Sequence, residues 1–157
     1  MCKVDDWYEK YINEKNKNKL KKHISNDVNF MSRFIFKEIV NNNLIDDNYC
    51  IISISDTVNE CNEIKELIGG YYNSLCIYIE DNAKSYPDEI YKIISDFIID
   101  NLDKKFIIHC YQGISRSAGI AKAIIDYKKY DITMDNYKEY NHILYSGVYK
   151  KIKNTKL

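Results

Sequence analysis

Three short runs, YCIISIS at 49–55, LCIYIE at 75–80 and FIIHC at 106–110, are rich in β-branched and apolar residues without clean apolar–polar alternation. A strand with one wet face alternates with period two, whereas a strand covered on both faces does not. The runs therefore predict strands buried on both sides, the setting of a parallel sheet between layers of helix. The segments around them supply those helices. Ser32 can cap a helix through FIFKEIVNN to about Asn42, after a short apolar segment at 28–31. Ser85 can cap and Pro87 can start another, with Asp88 and Glu89 suited to its positive end and Ile90, Ile93, Ile94, Phe97 and Ile98 forming one apolar face.

SAGIAKAIIDY at 117–127 reads as a buried helix, and two more helical stretches are expected around 133–140 and 142–153. Gly69 and Gly70 break the chain before the middle strand. At the N-terminus, Trp7, Tyr8, Tyr11 and Ile12 recur at helical spacing before the Lys-rich KNKNKLKKH, predicting an amphipathic helix over about 5–22 with a solvated end. Strands alternating with helices predict an α/β domain. The expectation is a central, mostly parallel sheet of about four or five strands flanked by helices, in a single domain over 1–157.

Charge points to no partner: 23 acidic residues balance 23 basic ones, so there is no global field of the kind that draws a protein to nucleic acid or an anionic membrane. Arg33 and Arg116 are the only arginines among those basic residues, which marks them as places where a planar, forked donor is needed. The five cysteines contain no Cys-x-x-Cys pair, and an odd count fits poorly with a disulfide framework. A reducing, cytoplasmic setting is expected, since the N-terminus lacks an apolar signal core and no apolar run approaches a membrane span. No His or Cys cluster has metal-ligand spacing, so neither a metal nor a cofactor is expected.

The run FIIHC leads directly into YQGISRS and then into a helix. Such a strand–loop–helix turn aims several backbone N–H groups and the positive end of a helix dipole at one small volume, which suits an oxyanion. The amides of Tyr111, Gln112, Gly113, Ile114, Ser115 and Arg116 are the candidate phosphate ligands, and the Arg116 guanidinium can clamp two oxygens at once. The same donors favour a thiolate at Cys110, a strong nucleophile. Gly113 permits the positive φ that lets the loop curl around an anion.

HCYQGISRS resembles the signature of the protein tyrosine and dual-specificity phosphatase superfamily: His, Cys, two residues, Gly, one residue, Ser, Arg, Ser or Thr. The resemblance implies that Cys110 is the nucleophile, that His109 tunes it from beneath, and that Ser117 assists breakdown of a phosphocysteine intermediate. It implies a cysteine-dependent protein phosphatase acting on phosphotyrosine, with phosphoserine and phosphothreonine as further substrates. Phosphoinositide or RNA 5′-phosphatases with the same loop chemistry, a non-hydrolytic phosphate-binding adaptor, and a rhodanese-type sulfur transferase are the alternatives. The uncharged variable positions Tyr111, Gln112 and Ile114 rank inositol lipids below phosphoprotein.

The leaving oxygen needs a proton, and ligands of open α/β sheets gather at the carboxyl ends of strands. Those ends offer Asp56 after the first run and Glu80 and Asp81 after the second. Asp81 is the expected general acid, matching the position that dual-specificity phosphatases give theirs; Asp56 and Glu80 rank below it. Tyr86-Pro87-Asp88 invites comparison with the Trp-Pro-Asp loop of larger tyrosine phosphatases, but Asp88 reads as a helix-start acid. Arg33 follows a short strand and is a candidate substrate contact. Cys50 and Cys76 are expected to begin their strands, at the edge opposite Cys110.

Overall fold

The computed structural model describes residues 3–70, 72–129 and 139–155, with most of the expected helix around 133–140 outside the described residues. The elements run α1 Lys3–Lys22, β1 Val28–Ser32, α2 Arg33–Asn41, β2 Tyr49–Ser55, α3 Val58–Ile68, β3 Ser74–Tyr78, α4 Asp88–Asp100, β4 Lys105–Cys110, α5 Arg116–Lys128 and α6 His142–Asn154. The four strands form one sheet in the order β1-β4-β2-β3, with every pairing parallel. Parallel pairing turns all carboxyl ends to one edge, where Ser32 stands opposite Cys110 and Ser55 opposite Tyr78.

Why the central strands fail to alternate is visible in their neighbours. From β4, Phe106, Ile108 and Cys110 enter the core shared with α4, α5 and α6, where Ile94, Ile98, Ile120, Ile124, Leu144 and Val148 lie. Ile107 points the other way, into a core with Phe36 and Ile39 of α2 and Ile64 and Ile68 of α3. Both faces of β2 and β4 are dry, so period two never appears as a polarity pattern.

The structure corrects the reading of several elements. β3 is an edge strand and stays partly exposed along its length, so the middle run is not covered on both faces. Cys76 lies inside β3, opposite Ser53, rather than at its beginning. Helix α3 was not anticipated: Thr57 caps it, accepting a hydrogen bond from the Glu60 amide at 3.1 Å. The aromatic residues of α1 are exposed, Trp7 stacking on Tyr11 with ring centroids 5.8 Å apart, so this end of the helix is not packed against the core. Among the described residues, no helix is long and apolar enough to cross a membrane.

Candidate active site

At the end of β4 the chain turns sharply through Tyr111–Ser115 into α5. Gly113 takes φ +73°, and a Cβ there would stand 2.4 Å from the backbone of Met31 and Ser32 at the end of β1. Only glycine satisfies both the left-handed conformation and that approach. The turn brings the Gly113 amide to the Cys110 sulfur, N–H donating to Sγ at 3.3 Å. The Ser117 hydroxyl, in the first turn of α5, lies 3.1 Å from the same sulfur, and both residues are buried. Ser115 makes no side-chain cap to α5, which leaves the amides at that helix start without a capping acceptor from it.

Arg116 is only 4% exposed, and a buried guanidinium is tolerable only where its donors find partners. Here the partners sit on one side. Nη1 donates to Asp56 at 2.5 Å and to the Ile79 carbonyl at 2.9 Å, while Nε makes no hydrogen bond and faces Asp81 at 3.8 Å. One nitrogen thus anchors the group to the ends of β2 and β3, and a fork edge stays uncommitted.

Asp56, Asp81, Asn82, Glu139 and the residues Cys110–Gln112 and Ile114–Arg116 line one cavity of about 430 Å³. The cavity gathers Cys110, Arg116 and Asp81 with five of the six candidate phosphate ligands, and Gly113 lies beneath through its amide. Glu80 does not line it; its carbonyl accepts the Tyr86 hydroxyl at 2.7 Å. Asp88 begins α4, where both carboxylate oxygens bond Lys151 at 2.9 Å, away from the cavity.

His109 is the residue of β4 just before Cys110. The ring is fully buried and stacked on Phe36 at 4.1 Å, and neither nitrogen has a hydrogen-bond partner. Burial drives its pKa down from 6.5 to about 3, only partly offset by the Cys110 backbone, so the ring is neutral at physiological pH. Arg33 does reach the carboxyl edge. It pairs with Glu60 at 2.9 Å, its guanidinium lies 4.8 Å over the Tyr111 ring, and its amide donates to the Tyr111 carbonyl at 3.2 Å.

Several residues at or beside the site were not anticipated. Glu60 bridges Arg33 and the Asp56 amide, which it accepts at 2.9 Å. Asn141 donates its amide to the Ser115 carbonyl at 2.9 Å and its side chain to the Tyr86 hydroxyl at 3.1 Å, tying the loop after β3 to the loop after β4. Thr57-x-x-Glu60 is a capping-box spacing and was the available signal for α3 and Glu60. No local signal marks Asn141 or Glu139.

No protein-family model matches the chain, and no curated protein matches it. Among solved structures it is similar to the crystal structure of PTPMT1, at a TM-score of 0.50 and 14% identity, over 83% of this chain and 95% of that one. It is also similar to the Cydia pomonella PTP-2 phosphatase at a TM-score of 0.49 and 22% identity, over 81% and 76% of the two chains. A human tyrosine phosphatase-like serine/threonine/tyrosine-interacting protein matches at 0.49 and 17%, over 82% and 93%. The α/β fold implied by the signature loop is therefore the fold the chain has.

Proposed function

We propose that a chain with this fold and this cavity hydrolyses phosphoric monoesters through a phosphocysteine, with phosphotyrosine in proteins as the substrate. One observation carries the reading: a buried cysteine sulfur with a loop amide at 3.3 Å and a hydroxyl at 3.1 Å shares a cavity with a guanidinium held by one nitrogen. The Cys110 sulfur attacks phosphorus as the bond to the leaving oxygen breaks, and Asp81 delivers its proton to that oxygen. The Asp81 carboxylate then takes a proton from water, whose oxygen attacks phosphorus. The P–S bond breaks and the electron pair returns to sulfur, where the Ser117 hydroxyl and the Gly113 amide stabilise the thiolate. Throughout, the free edge of Arg116 and the loop amides hold the equatorial oxygens.

The two carboxylates have different parts. Asp56 bonds the nitrogen that anchors Arg116, whereas Asp81 lies 3.8 Å from Nε, which is buried and makes no hydrogen bond. That difference supports Asp81 as the acid and Asp56 as the residue that orients the clamp. At the mouth, Tyr111 is 53% exposed and Ile114 42% exposed, giving apolar walls for an aryl ring. Asp56, Asp81 and Glu139 line the same cavity and oppose further phosphates inside it, which favours a monophosphorylated aryl group over inositol polyphosphates.

The test is turnover of a small aryl phosphate in chelator, followed by phosphotyrosine, phosphoserine and phosphoinositide substrates. Chelator-resistant turnover that prefers phosphotyrosine and is lost in both Cys110→Ser and Arg116→Lys is expected, because a point charge cannot replace a forked clamp. Turnover that survives Cys110→Ser would overturn the mechanism, and a preference for inositol lipid would overturn the substrate.

A further inference from the structure

Beside Tyr111 lies a second cavity of about 400 Å³, lined by Arg33, Phe34, Lys37 and Tyr111. Tyr111 also lines the catalytic cavity, so the two cavities adjoin at this residue. Arg33 and Lys37 stand four residues apart on α2 and so share a face of that helix. Lys37 has no ion-pair partner among the described residues. Glu60 takes a single nitrogen of Arg33, and the Tyr111 ring beneath the guanidinium fixes its plane. A guanidinium has five donors, so one carboxylate contact leaves capacity for another anion. The charged side chains that line the cavity, Arg33 and Lys37, are both cations, and Glu60 pairs with the first.

Other observations agree with a positive field there. After burial and the Cys110 backbone, the remaining influences on His109 come from Arg33 and Lys37, both disfavouring its protonated form. Phe34 is 71% exposed, so the apolar part of the lining is open to a ligand. The catalytic cavity is acidic at its mouth through Asp56, Asp81 and Glu139, whereas its neighbour is basic. That asymmetry gives an extended substrate one orientation.

Resting on the reading of Cys110 as the phosphotyrosine site, we infer that the Arg33–Lys37 cavity takes a second anionic group of the same phosphopeptide, a carboxylate or phosphate flanking the phosphotyrosine. Tyr111 then separates two subsites, its ring meeting the substrate tyrosine on one side and supporting Arg33 on the other. Specificity for acidic flanking sequence would come from a helix that follows β1, outside the signature loop.

The experiment measures binding, so that it does not depend on turnover. Fluorescent phosphotyrosine peptides are titrated against the Cys110→Ser protein by anisotropy: one with neutral flanks, one with acidic residues on the N-terminal side, one with them on the C-terminal side, and one with a flanking phosphoserine. One acidic placement should bind about tenfold tighter than the neutral peptide, the size of one charge-assisted contact. That ratio should collapse toward unity in Lys37→Gln and in Arg33→Gln, each made in the same background, and should shrink with added salt. The carboxylate and phosphoserine arms tell the two sources of charge apart. A ratio near one in the parent protein, or a ratio unchanged in both variants, overturns the inference, as does tighter binding of 5′-triphosphorylated RNA through Arg33 and Lys37. Absence of aryl phosphatase turnover in the parent protein, or turnover that survives Cys110→Ser, would instead sink the underlying reading, and is scored separately.

Discussion

Replacing Gly113 by alanine tests whether the catalytic loop must press against the end of β1. At φ +73° an alanine pays the left-handed penalty, about 1–2 kcal/mol. Its Cβ would also stand 2.4 Å from the Met31 carbonyl carbon and the Ser32 nitrogen, against an ordinary contact of about 3.5 Å, so something must move by about 1 Å. The obstacles are backbone atoms of a strand whose last residue pairs with Cys110 and whose following amide bonds Tyr111. The loop is therefore the part that yields. Its displacement withdraws the Gly113 amide from the Cys110 sulfur, and a misplacement of about 1 Å in a reacting group costs on the order of 100-fold in rate. Stability should fall by about 2–5 kcal/mol in total, from the backbone penalty and the overpacking together. The assays are kcat/KM on an aryl phosphate and urea denaturation at pH 7. A Gly113→Ala enzyme within about threefold of the parent in kcat/KM and within about 0.5 kcal/mol in stability would refute the reasoning.

Asp81→Asn should lower kcat/KM for phosphotyrosine by about 10²–10⁴-fold and that for substrates with very acidic leaving groups much less. Asp56→Asn should instead weaken both classes alike by loosening Arg116, and the reverse pattern would exchange the two roles. Ser117→Ala removes the hydroxyl 3.1 Å from the sulfur, so phosphoenzyme breakdown should slow by about tenfold or more, seen as a burst in stopped-flow traces; unchanged burst amplitude would count against it. His109 takes a proton near pH 3 when folded and near 6.5 when unfolded, so the unfolded chain binds more protons between those values and stability falls as pH falls through them. From pH 6.5 to 5 the loss from this ring is about 2 kcal/mol, at about 1.4 kcal/mol per unit. Denaturation of His109→Leu should lack that part of the acid slope, and equal slopes in both proteins would mean the ring is not buried neutral.

The parts of this molecule that could be read in advance are those whose causes are local. Cys110–Ser117 is eight consecutive residues, so strand end, turn glycine, arginine and hydroxyls arrive as one string. Asp81 follows from a strand end, and the Ser32 cap follows from its place before an apolar helix, where it accepts the Ile35 amide at 3.3 Å. The anchoring of Arg116 by Asp56 spans 60 positions and depends on strand order, which brings β2 and β3 to the same side of β4. Strand order also decides that LCIYIE is an edge, since its apolar residues would suit a central strand equally well. Helix α3 was missed because Cys61, Ile64 and Ile68 give a thin apolar face within a polar segment, although Thr57 and Glu60 announced its start. The state of His109 depends on Phe36 from another element, and nothing beside it in the sequence announces that stack.

The most direct measurement of the central claim is to quench the Asp81→Asn enzyme in acid during turnover of an aryl phosphate with a very acidic leaving group, whose departure needs no proton, and map the phosphate by peptide mass spectrometry. In the proposed mechanism Asp81 activates the water that clears the intermediate, so its loss should let the phosphoenzyme accumulate. The account predicts phosphate on Cys110, absent when Ser117 and Arg116 are intact but Cys110 is serine and turnover is abolished. Phosphate on another residue, or continued turnover with no phosphate on Cys110, would contradict it.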